Sequence, residues 1–373
     1  MLSRRKFVEA FPLALTRAMP IACAHNEAAS SAAGSGASGE GGVYVYVAGY
    51  DPTISIFRYD ARAGALTPAG KAQSGKAPSY LAIVPDKLRL YALDETEKSG
   101  LAAFSIDAKT GALTELNRVA TGGAGAAHLA VDPSRKFLVT AHYDSDEVTV
   151  HALDADGRIG AKTDDQKPGK NAHQVVFDRS GRFVLVPCLG SNLVAQFRLE
   201  GGKLVPNQPA SVKLEGGPRH MVLDAAEKHA YVLSELENLI TSYDYDAAQG
   251  LLSNPATLST LEPGGKKKEA GHVVLSPDGR FLYASNREDN SLAIFAVDAA
   301  TGRLKSAGWQ RAGVDYVRDF AIDASGAHLL AANQNKNVLA VLGVDAATGH
   351  LAPQGAPIAL PDGPAFVGIV ALP

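Results

Sequence analysis

The chain has 373 residues, of which 46% are hydrophobic and 20% are charged, and its formal net charge at pH 7 is −3. This balance is typical of a globular protein and gives no electrostatic preference for nucleic acid or for an anionic membrane. Its two cysteines, Cys23 and Cys188, lie far apart in the chain, which excludes a disulfide framework and a thiolate metal cage. No run of about twenty apolar residues is present that could span a bilayer.

A predicted export signal covers residues 1–24. The sequence SRRKF near its start is similar to the twin-arginine signature, and the A-x-A pattern at its end is typical of a cleavage site. We therefore expect a periplasmic protein. Glu9, Pro12 and Arg17 interrupt the apolar region of the signal, and the alternative is an unstructured N-terminus on a cytoplasmic protein.

Residues 25–42 are rich in glycine and serine, which predicts a flexible linker. The linker contains the pattern G-x-G-x-x-G at residues 34–39, which binds dinucleotides when it connects a strand to a helix. Neither a predicted strand before it nor a predicted helix after it supplies that context. We therefore expect no nucleotide cofactor, and no other cofactor motif stands out.

A strand, an acidic residue, a short turn and a returning strand recur seven times from residue 43 onward. The copies include ISIFRYDARAGAL, LAAFSIDAKTGAL and VLAVLGVDAATGHL. Each turn contains a glycine, because such tight hairpins require positive φ. These glycines recur every 45 to 52 residues along the chain: Gly64, Gly111, Gly157, Gly202, Gly250, Gly302 and Gly349.

A second strand-turn-strand unit, such as AAHLAVDPSRKFLVTAHY or AGHVVLSPDGRFLYASNR, precedes six of these hairpins. Four antiparallel strands per repeat are typical of a propeller blade. The C-terminal GPAFVGIVALP matches only the first strand of a blade, and the segment after residue 43 matches only the other three. The sequence therefore predicts an all-β, seven-bladed β-propeller over residues 43–373, closed by pairing of its N- and C-terminal segments.

Two positions in each predicted blade should meet at one end of the central channel. The innermost strand of a blade starts at one face of the propeller, and the second strand runs back to that same face. The first residues of the innermost strand therefore lie beside the last residues of the second strand. At the start of the innermost strand lie Ser79, Ala127, His173, Arg219, Gly271 and Arg318. At the return of the second strand lie Glu95, Tyr143, Leu189, Glu235, Arg287 and Gln334.

Ionisable residues are concentrated at these two positions in four neighbouring blades. We predict that they line one side of the channel mouth, stay partly hydrated there and converge on an anion. This set comprises His173, Arg219, Glu235, Arg287 and Arg318.

His128, His220 and His272 follow one position further along the innermost strands. Strand alternation predicts that their side chains point away from the face that Arg219 uses. We therefore expect no histidine metal site. Nor is another metal centre expected, because an acidic cluster for a hard cation would have few ligands beyond Glu95 and Glu235.

Several motifs are similar to those of the bacterial 6-phosphogluconolactonase family with a seven-bladed propeller, which also includes fungal carboxymuconate lactonizing enzyme. They are HQVVFDRSGRFV, GPRHMVLD, SEL, LSPDGRFLYASNR and RDFAIDASGAHLLAANQ. The resemblance covers nearly the whole chain after the linker. It implies a functional set of one histidine, two arginines and one glutamate, which fall on His173, Arg219, Glu235 and Arg287.

Opening a lactone needs a base that activates water, a positive group for the oxyanion and an anchor for the substrate. His173 or Glu235 could be the base, and Arg219 and Arg287 could bind the developing charge. The neighbouring residues expected to bind substrate are Arg318, Asn286, Gln334 and Glu95.

The sequence thus favours a hydrolase whose partner is a small lactone, without a nucleic-acid partner or a membrane span. No G-x-S-x-G elbow, H-E-x-x-H motif or Walker loop is present to support another hydrolase class. The alternative is a non-catalytic binding or scaffold propeller in the periplasm, because one fold serves many functions. A recognition propeller should carry aromatic and apolar residues on its rim, whereas this sequence places ionisable residues toward the channel.

Overall fold

The computed structural model describes residues 42–265 and 269–373. The predicted export signal and all but the last residue of the predicted linker lie outside this range. Within it the chain forms seven antiparallel sheets of four strands each. The first strands of neighbouring sheets contact one another around a central channel. The prediction of a seven-bladed β-propeller is confirmed.

Blade 1 contains strands from both ends of the described chain, and the other blades follow in chain order. Strands of blades 1 to 4, innermost first, are β28 (Pro364–Ala371), β1 (Val43–Gly49), β2 (Thr53–Asp60) and β3 (Ala65–Gln73); β4 (Leu81–Val84), β5 (Arg89–Asp94), β6 (Gly100–Ile106) and β7 (Leu113–Ala120); β8 (Ala126–Val131), β9 (Phe137–His142), β10 (Glu147–Leu153) and β11 (Ile159–Gln166); β12 (Val176–Phe177), β13 (Phe183–Cys188), β14 (Leu193–Glu200) and β15 (Lys203–Lys213).

Blades 5 to 7 repeat the same order from the channel outward. Their strands are β16 (Pro218–Leu223), β17 (His229–Ser234), β18 (Leu239–Asp246) and β19 (Leu251–Ser259); β20 (Ala270–Leu275), β21 (Phe281–Asn286), β22 (Ser291–Val297) and β23 (Leu304–Gln310); β24 (Val317–Ile322), β25 (His328–Asn333), β26 (Val338–Val344) and β27 (Leu351–Ala359). None of the described residues lies in a helix that is long and apolar enough to cross a membrane.

The C-terminal strand closes the ring. β28 pairs with β1 along its whole length, from Val43 opposite Ala371 to Gly49 opposite Pro364. Phe366 near the start of β28 is buried and packs edge-to-face against Tyr80 of blade 2, with ring centroids 5.0 Å apart. Both ends of the propeller are therefore held by sheet pairing and by packing against the next blade.

The repeated turn glycines connect neighbouring blades as well as forming hairpins. In the turn between β22 and β23, Asp298 accepts hydrogen bonds from the backbone N–H groups of Ala300 and Thr301. Gly302 follows with φ of +64°, and a Cβ there would lie 2.3 Å from the ring of His229 in blade 5. A side chain at this position would be strained by the backbone and would collide with the adjacent blade.

Apolar side chains from facing sheets form the core between blades. Tyr231 of blade 5 and Leu282 and Phe295 of blade 6, for example, are fully buried in one cluster. Because the sheets supply the hydrophobic core, the narrow channel at the axis is free to hold polar residues.

Candidate active site

Two buried guanidinium groups contact one carboxylate at the end of the channel where the innermost strands begin. Arg219 lies at the start of β16, and its Nε is 2.7 Å from Oε2 of Glu235, which follows β17 directly. Arg287 follows β21, and its Nη2 is 2.9 Å from the other carboxylate oxygen. The sequence-predicted residues of blades 5 and 6 therefore meet.

These ion pairs are close but poorly aligned as hydrogen bonds. The Nε–H of Arg219 and the Nη2 group of Arg287 have no acceptor at hydrogen-bond geometry, although both nitrogens are buried. Other N–H groups are used locally: Arg219 donates to the carbonyl of Gly271, and Arg287 Nε donates to the carbonyl of Ala270 at 3.2 Å. The carbonyl groups of Ala270 and Gly271, together with Glu235, thus hold the two arginines in place.

The expectation of a hydrated mouth was wrong for the central residues. Arg219 is 2% exposed, Arg287 is 4% exposed and His173 is 5% exposed, while the side chain of Glu235 is 15% exposed. Burial lowers the pKa of Arg219 to about 10, with Arg287 adding to the effect and Glu235 opposing it. Arg219 remains charged at neutral pH, so two buried guanidinium groups share the carboxylate of Glu235 beside the channel.

Two further arginine-glutamate contacts surround this cluster. Arg287 Nη1 lies 3.7 Å from Glu269, and its guanidinium lies over the ring of Tyr316 at 5.4 Å from the centroid. On the other side, Arg318 lies 3.9 Å from Glu95, which also accepts a hydrogen bond from Ser79.

Tyr50 completes the second contact. Its hydroxyl donates to Glu95, and the guanidinium of Arg318 lies over its ring at 5.4 Å. The three arginines of the site, Arg219, Arg287 and Arg318, are therefore matched by three glutamates. Sequence reasoning identified Glu95 but missed Glu269, Tyr50 and Tyr316, which lie in loops outside the two strand positions that it compared.

His173 lies in blade 4, just before β12, and its ring packs edge-to-face against Tyr143 at 5.8 Å. Its Nδ1 is buried and has no hydrogen-bond partner. Burial lowers the pKa of His173 well below its usual value, and the positive charges of Arg219, Arg318 and Arg287 lower it further. The imidazole is consequently neutral at pH 7.

The expectation that His128, His220 and His272 point away from the site was wrong. His220 packs against His173, with ring centroids 5.1 Å apart, and also contacts His128 and His272. The cause is a β-bulge. In blade 5, Pro218 pairs with Ser234 and His220 with Leu233, so that Arg219 is an extra residue.

In a regular strand, consecutive side chains point to opposite faces of the sheet. The extra residue breaks this alternation, so the side chains of Arg219 and His220 need not lie on opposite faces. Equivalent shifts occur near the start of the innermost strands in blades 3, 6 and 7. The bulges therefore let consecutive residues of one strand both serve the channel.

Asn286 and Gln334 differ in how the structure places them. The amide of Asn286 is fully buried and bonds to Asn238, Thr260 and Ser291, so all its hydrogen-bonding capacity holds neighbouring segments together. This placement does not support the predicted role of Asn286 in substrate binding. By contrast, Oε1 of Gln334 is buried without a hydrogen-bond partner.

A separate cavity of about 150 Å³ opens at the opposite end of the channel, where the innermost strands finish. Its walls are mainly apolar and include Leu129, Val175 and Met221. Arg135 and Arg179 also line this cavity. We nevertheless place the candidate site at the Arg219–Glu235–Arg287 cluster, because two buried guanidinium groups meet one carboxylate there. Within the two described ranges, no group of three or more His, Cys, Asp or Glu side chains is arranged to hold a metal ion.

The fold and the charged cluster define a propeller with a polar site at one end of its axis. The family model described as "Lactonase, 7-bladed beta-propeller" matches residues 44–367. The chain belongs to this lactonase family.

Curated relatives and solved structures agree with the family. A protein of Arthroderma benhamiae described as a probable 6-phosphogluconolactonase is 32% identical, with 73% of this chain and 75% of the relative covered. The 6-phosphogluconolactonase of Bacillus subtilis is 28% identical over 76% of this chain and 84% of the relative. The structure of a periplasmic gluconolactonase from Pseudomonas aeruginosa is similar with a TM-score of 0.82 and 27% identity, covering 89% of this chain and 100% of that one.

We predict that Glu235→Gln destabilises the protein by about 3 kcal/mol, because it leaves two buried guanidinium groups without their shared counter-charge. The midpoint of urea unfolding measures the effect. Glu269→Gln is the matched control: its side chain is exposed and also pairs with Arg287, so the expected loss is below about 1 kcal/mol. Equal midpoints for the two variants would show that the central cluster does not depend on Glu235.

Proposed function

We propose that the protein hydrolyses a small sugar-derived lactone at the channel end formed by blades 4 to 7. The observation that carries this proposal is the convergence of Arg219, Arg287 and Glu235 beside the neutral imidazole of His173. The names of the curated relatives, 6-phosphogluconolactonases, and of the gluconolactonase neighbour support the same reaction.

The chemistry assigns separate tasks to these groups. Water attack on the lactone carbonyl carbon places negative charge on the carbonyl oxygen, and the guanidinium groups of Arg219 and Arg287 supply the positive charge that stabilises it. Their rigidity matters, since preorganised donors need no rearrangement as the charge develops. Glu235 holds both guanidinium groups, which makes it better suited to positioning the arginines than to removing a proton.

His173 is then the group that receives the proton of the attacking water. Its neutral imidazole has a buried ring nitrogen, Nδ1, without a hydrogen-bond partner, and this nitrogen can take up the proton once a ligand and its water enter the site. Protonation adds a positive charge close to three arginines, which opposes His173 acting as a base in isolation. An efficient reaction therefore requires a second group that takes this proton from His173.

The charge balance favours a polyhydroxylated lactone without a phosphate group. Arg219, Arg287 and Arg318 are matched by Glu235, Glu269 and Glu95, leaving no surplus positive charge for a dianion. Sugar hydroxyl groups, in contrast, can donate to the carboxylates and accept from the guanidinium groups.

The lactonase proposal predicts that purified protein hydrolyses glucono-1,5-lactone faster than buffer does. The measurement is a pH-indicator assay on a panel of two lactones, glucono-1,5-lactone and 6-phosphogluconolactone, each tested separately. Arg219→Gln and Arg287→Gln should each reduce kcat by roughly 10²-fold or more, because each removes a stabiliser of the oxyanion. His173→Gln should cause a similar loss through the missing proton acceptor.

Arg280→Gln is the matched control, since Arg280 is an exposed arginine on the turn between β20 and β21 at the opposite end of the channel, paired with Asp278. It should retain the parent kcat. The proposal fails if the parent protein opens no lactone in the panel, or if an active protein keeps its full rate after both Arg219 and Arg287 are replaced.

Export to the periplasm is a second part of the proposal, supported by the twin-arginine pattern and by the periplasmic gluconolactonase neighbour. Replacing both Arg4 and Arg5 with Lys should leave uncleaved precursor in the cytoplasm, as measured by fractionation and immunoblotting. Recovery of the variant from the periplasm at the parent level would rule out this export route.

A further inference from the structure

A column of buried imidazoles lies directly beneath the arginine-glutamate cluster. His173, His220 and His272 come from blades 4, 5 and 6, and each is almost inaccessible to solvent. Asp319 of blade 7 is also buried, and its carboxyl lies at the end of this column. The family resemblance assigned no role to His220, His272 or Asp319.

One hydrogen bond and two looser contacts connect these groups. Nδ1 of His220 lies 2.6 Å from Nδ1 of His272, and Nε2 of His272 lies 3.5 Å from Oδ1 of Asp319. At the other end, the ring of His220 packs against the ring of His173 at an angle of 71°. The sequence of groups is therefore His173, which lies near the arginines, followed by His220, His272 and Asp319, which lie side by side around the channel.

The 2.6 Å separation between the two Nδ1 atoms of His220 and His272 requires one shared proton, since two lone pairs or two N–H groups would repel at this distance. The same distance argues against a metal ion between these nitrogens. Two zinc-nitrogen bonds of about 2.0 Å at a tetrahedral angle would hold the nitrogens more than about 3 Å apart. A hydrogen-bonded pair fits the geometry, and a metal bridge does not.

Asp319 can accept or release a proton at physiological pH. Burial raises the pKa of its carboxyl from 3.8 to about 8, while the backbone N–H groups of Phe320 and Val367 and the charges of Arg219 and Arg318 oppose the rise. Burial also lowers the pKa of His220 well below its usual value, with Arg219 and His272 adding to the effect. A proton entering this chain would therefore rest on Asp319 rather than on an imidazole.

We propose that Asp319, His272 and His220 form a proton relay that receives, through His173, the proton released when water attacks the lactone. This inference rests on the proposed lactonase activity. The relay supplies the second proton acceptor that the reaction requires. It moves the proton from His173 to Asp319, so that no positive charge remains on His173 beside the arginines. Asp319, His272 and His220 are positioning residues that act through His173.

Each proton transfer breaks one bond to hydrogen and forms another. The O–H bond of water breaks as its oxygen bonds to the carbonyl carbon, and the proton passes to His173. His173 releases a proton from its other nitrogen to His220 when the two packed rings turn into hydrogen-bond contact. The Nδ1 proton of His220 passes to His272 across the 2.6 Å contact, and the Nε2 proton of His272 passes to the Asp319 carboxylate when their 3.5 Å separation shortens. When the ring C–O bond breaks, the reverse sequence returns a proton to the leaving alkoxide.

Other ionisable groups that face the relay set its electrostatics. From blades 2 to 7, these groups are Tyr80, His128, Arg219, Arg287 and Arg318. The arginines favour the ionised form of Asp319 and disfavour a histidinium. The relay is therefore in its proton-accepting form only after Asp319 has lost its proton, which occurs as pH rises through about 8.

The test is the pH dependence of kcat/KM in the parent protein and in Asp319→Asn. The parent should gain activity as pH rises through about 8. The introduced amide cannot take up a proton, and donation from its NH₂ group to Nε2 of His272 fixes the His272 proton on Nδ1, which blocks acceptance from His220. We expect Asp319→Asn to lose this rise and about 10²-fold in kcat/KM at about pH 9. His272→Gln should lose the same rise.

Asp323→Asn is the matched control, because Asp323 is a buried aspartate that bonds a histidine, His328, and Tyr59 outside the channel. Its normalised pH profile should match that of the parent.

A stability measurement distinguishes lost chemistry from lost folding. The folded protein holds the Asp319 proton more tightly than the unfolded chain does, so ionisation lowers parent stability as pH rises from about 4 to about 8. Asp319→Asn lacks this penalty and should melt at a higher temperature than the parent at about pH 9, despite its lower activity.

Histidine ring ¹⁵N spectra separate failure of the relay from failure of the lactonase proposal. Ionisation of Asp319 near pH 8 should change the His272 and His220 signals in the parent but not in Asp319→Asn. An active parent whose Asp319→Asn variant retains the full pH profile overturns the relay while leaving the lactonase proposal intact. A parent that opens no lactone overturns both the proposed reaction and the relay's role in it, even if the ¹⁵N signals titrate together.

Discussion

One carboxylate, that of Glu235, holds two buried guanidinium groups at the axis of the propeller. Burying three charged groups without mutual pairing would cost several kcal/mol for each, so the arginines can be enclosed here only because Glu235 contacts both. Because the carboxylate contacts one guanidinium through each oxygen, it also fixes their separation. The surrounding blades keep the three side chains in place, and the site is preorganised before any ligand arrives.

The channel changes in chemical character from one end to the other. Arginines and glutamates lie where the innermost strands begin, histidines and Asp319 lie deeper, and apolar residues line the cavity where the strands finish. This order places the groups that bind charge nearest the opening and the groups that share protons behind them. Burial of the deeper groups shifts their pKa values, which makes Asp319 rather than an imidazole the resting place of a proton.

The propeller could be predicted from the sequence because its signals are local and repeated. Turn glycines such as Gly302 recur in each blade, and the incomplete repeats at the two ends indicate closure. The same repeat placed His173, Arg219, Glu235 and Arg287 at comparable positions, since the ends of adjacent strands must meet.

The bulges could not be derived from simple alternation, and they are the reason that His220 and His272 were assigned to the wrong side. A signal was nevertheless present: His128, His220, His272 and Asp319 occupy the same position in four blades, directly after the extra residue. Four polar residues at one position of a buried strand would have indicated a second layer in the channel. The burial of Arg219 and the bonding of Asn286 depend on side chains from other blades, which a single repeat does not reveal.

A crystal structure with gluconolactam, a neutral analogue that the protein cannot hydrolyse by lactone opening, tests the location of the site most directly. If the site lies at this cluster, the lactam carbonyl oxygen will be about 3 Å from a guanidinium nitrogen of Arg219 or Arg287, with His173 beside the carbonyl carbon. Binding of the lactam in the apolar cavity beside Met221, with the arginine-glutamate cluster unchanged, would contradict it.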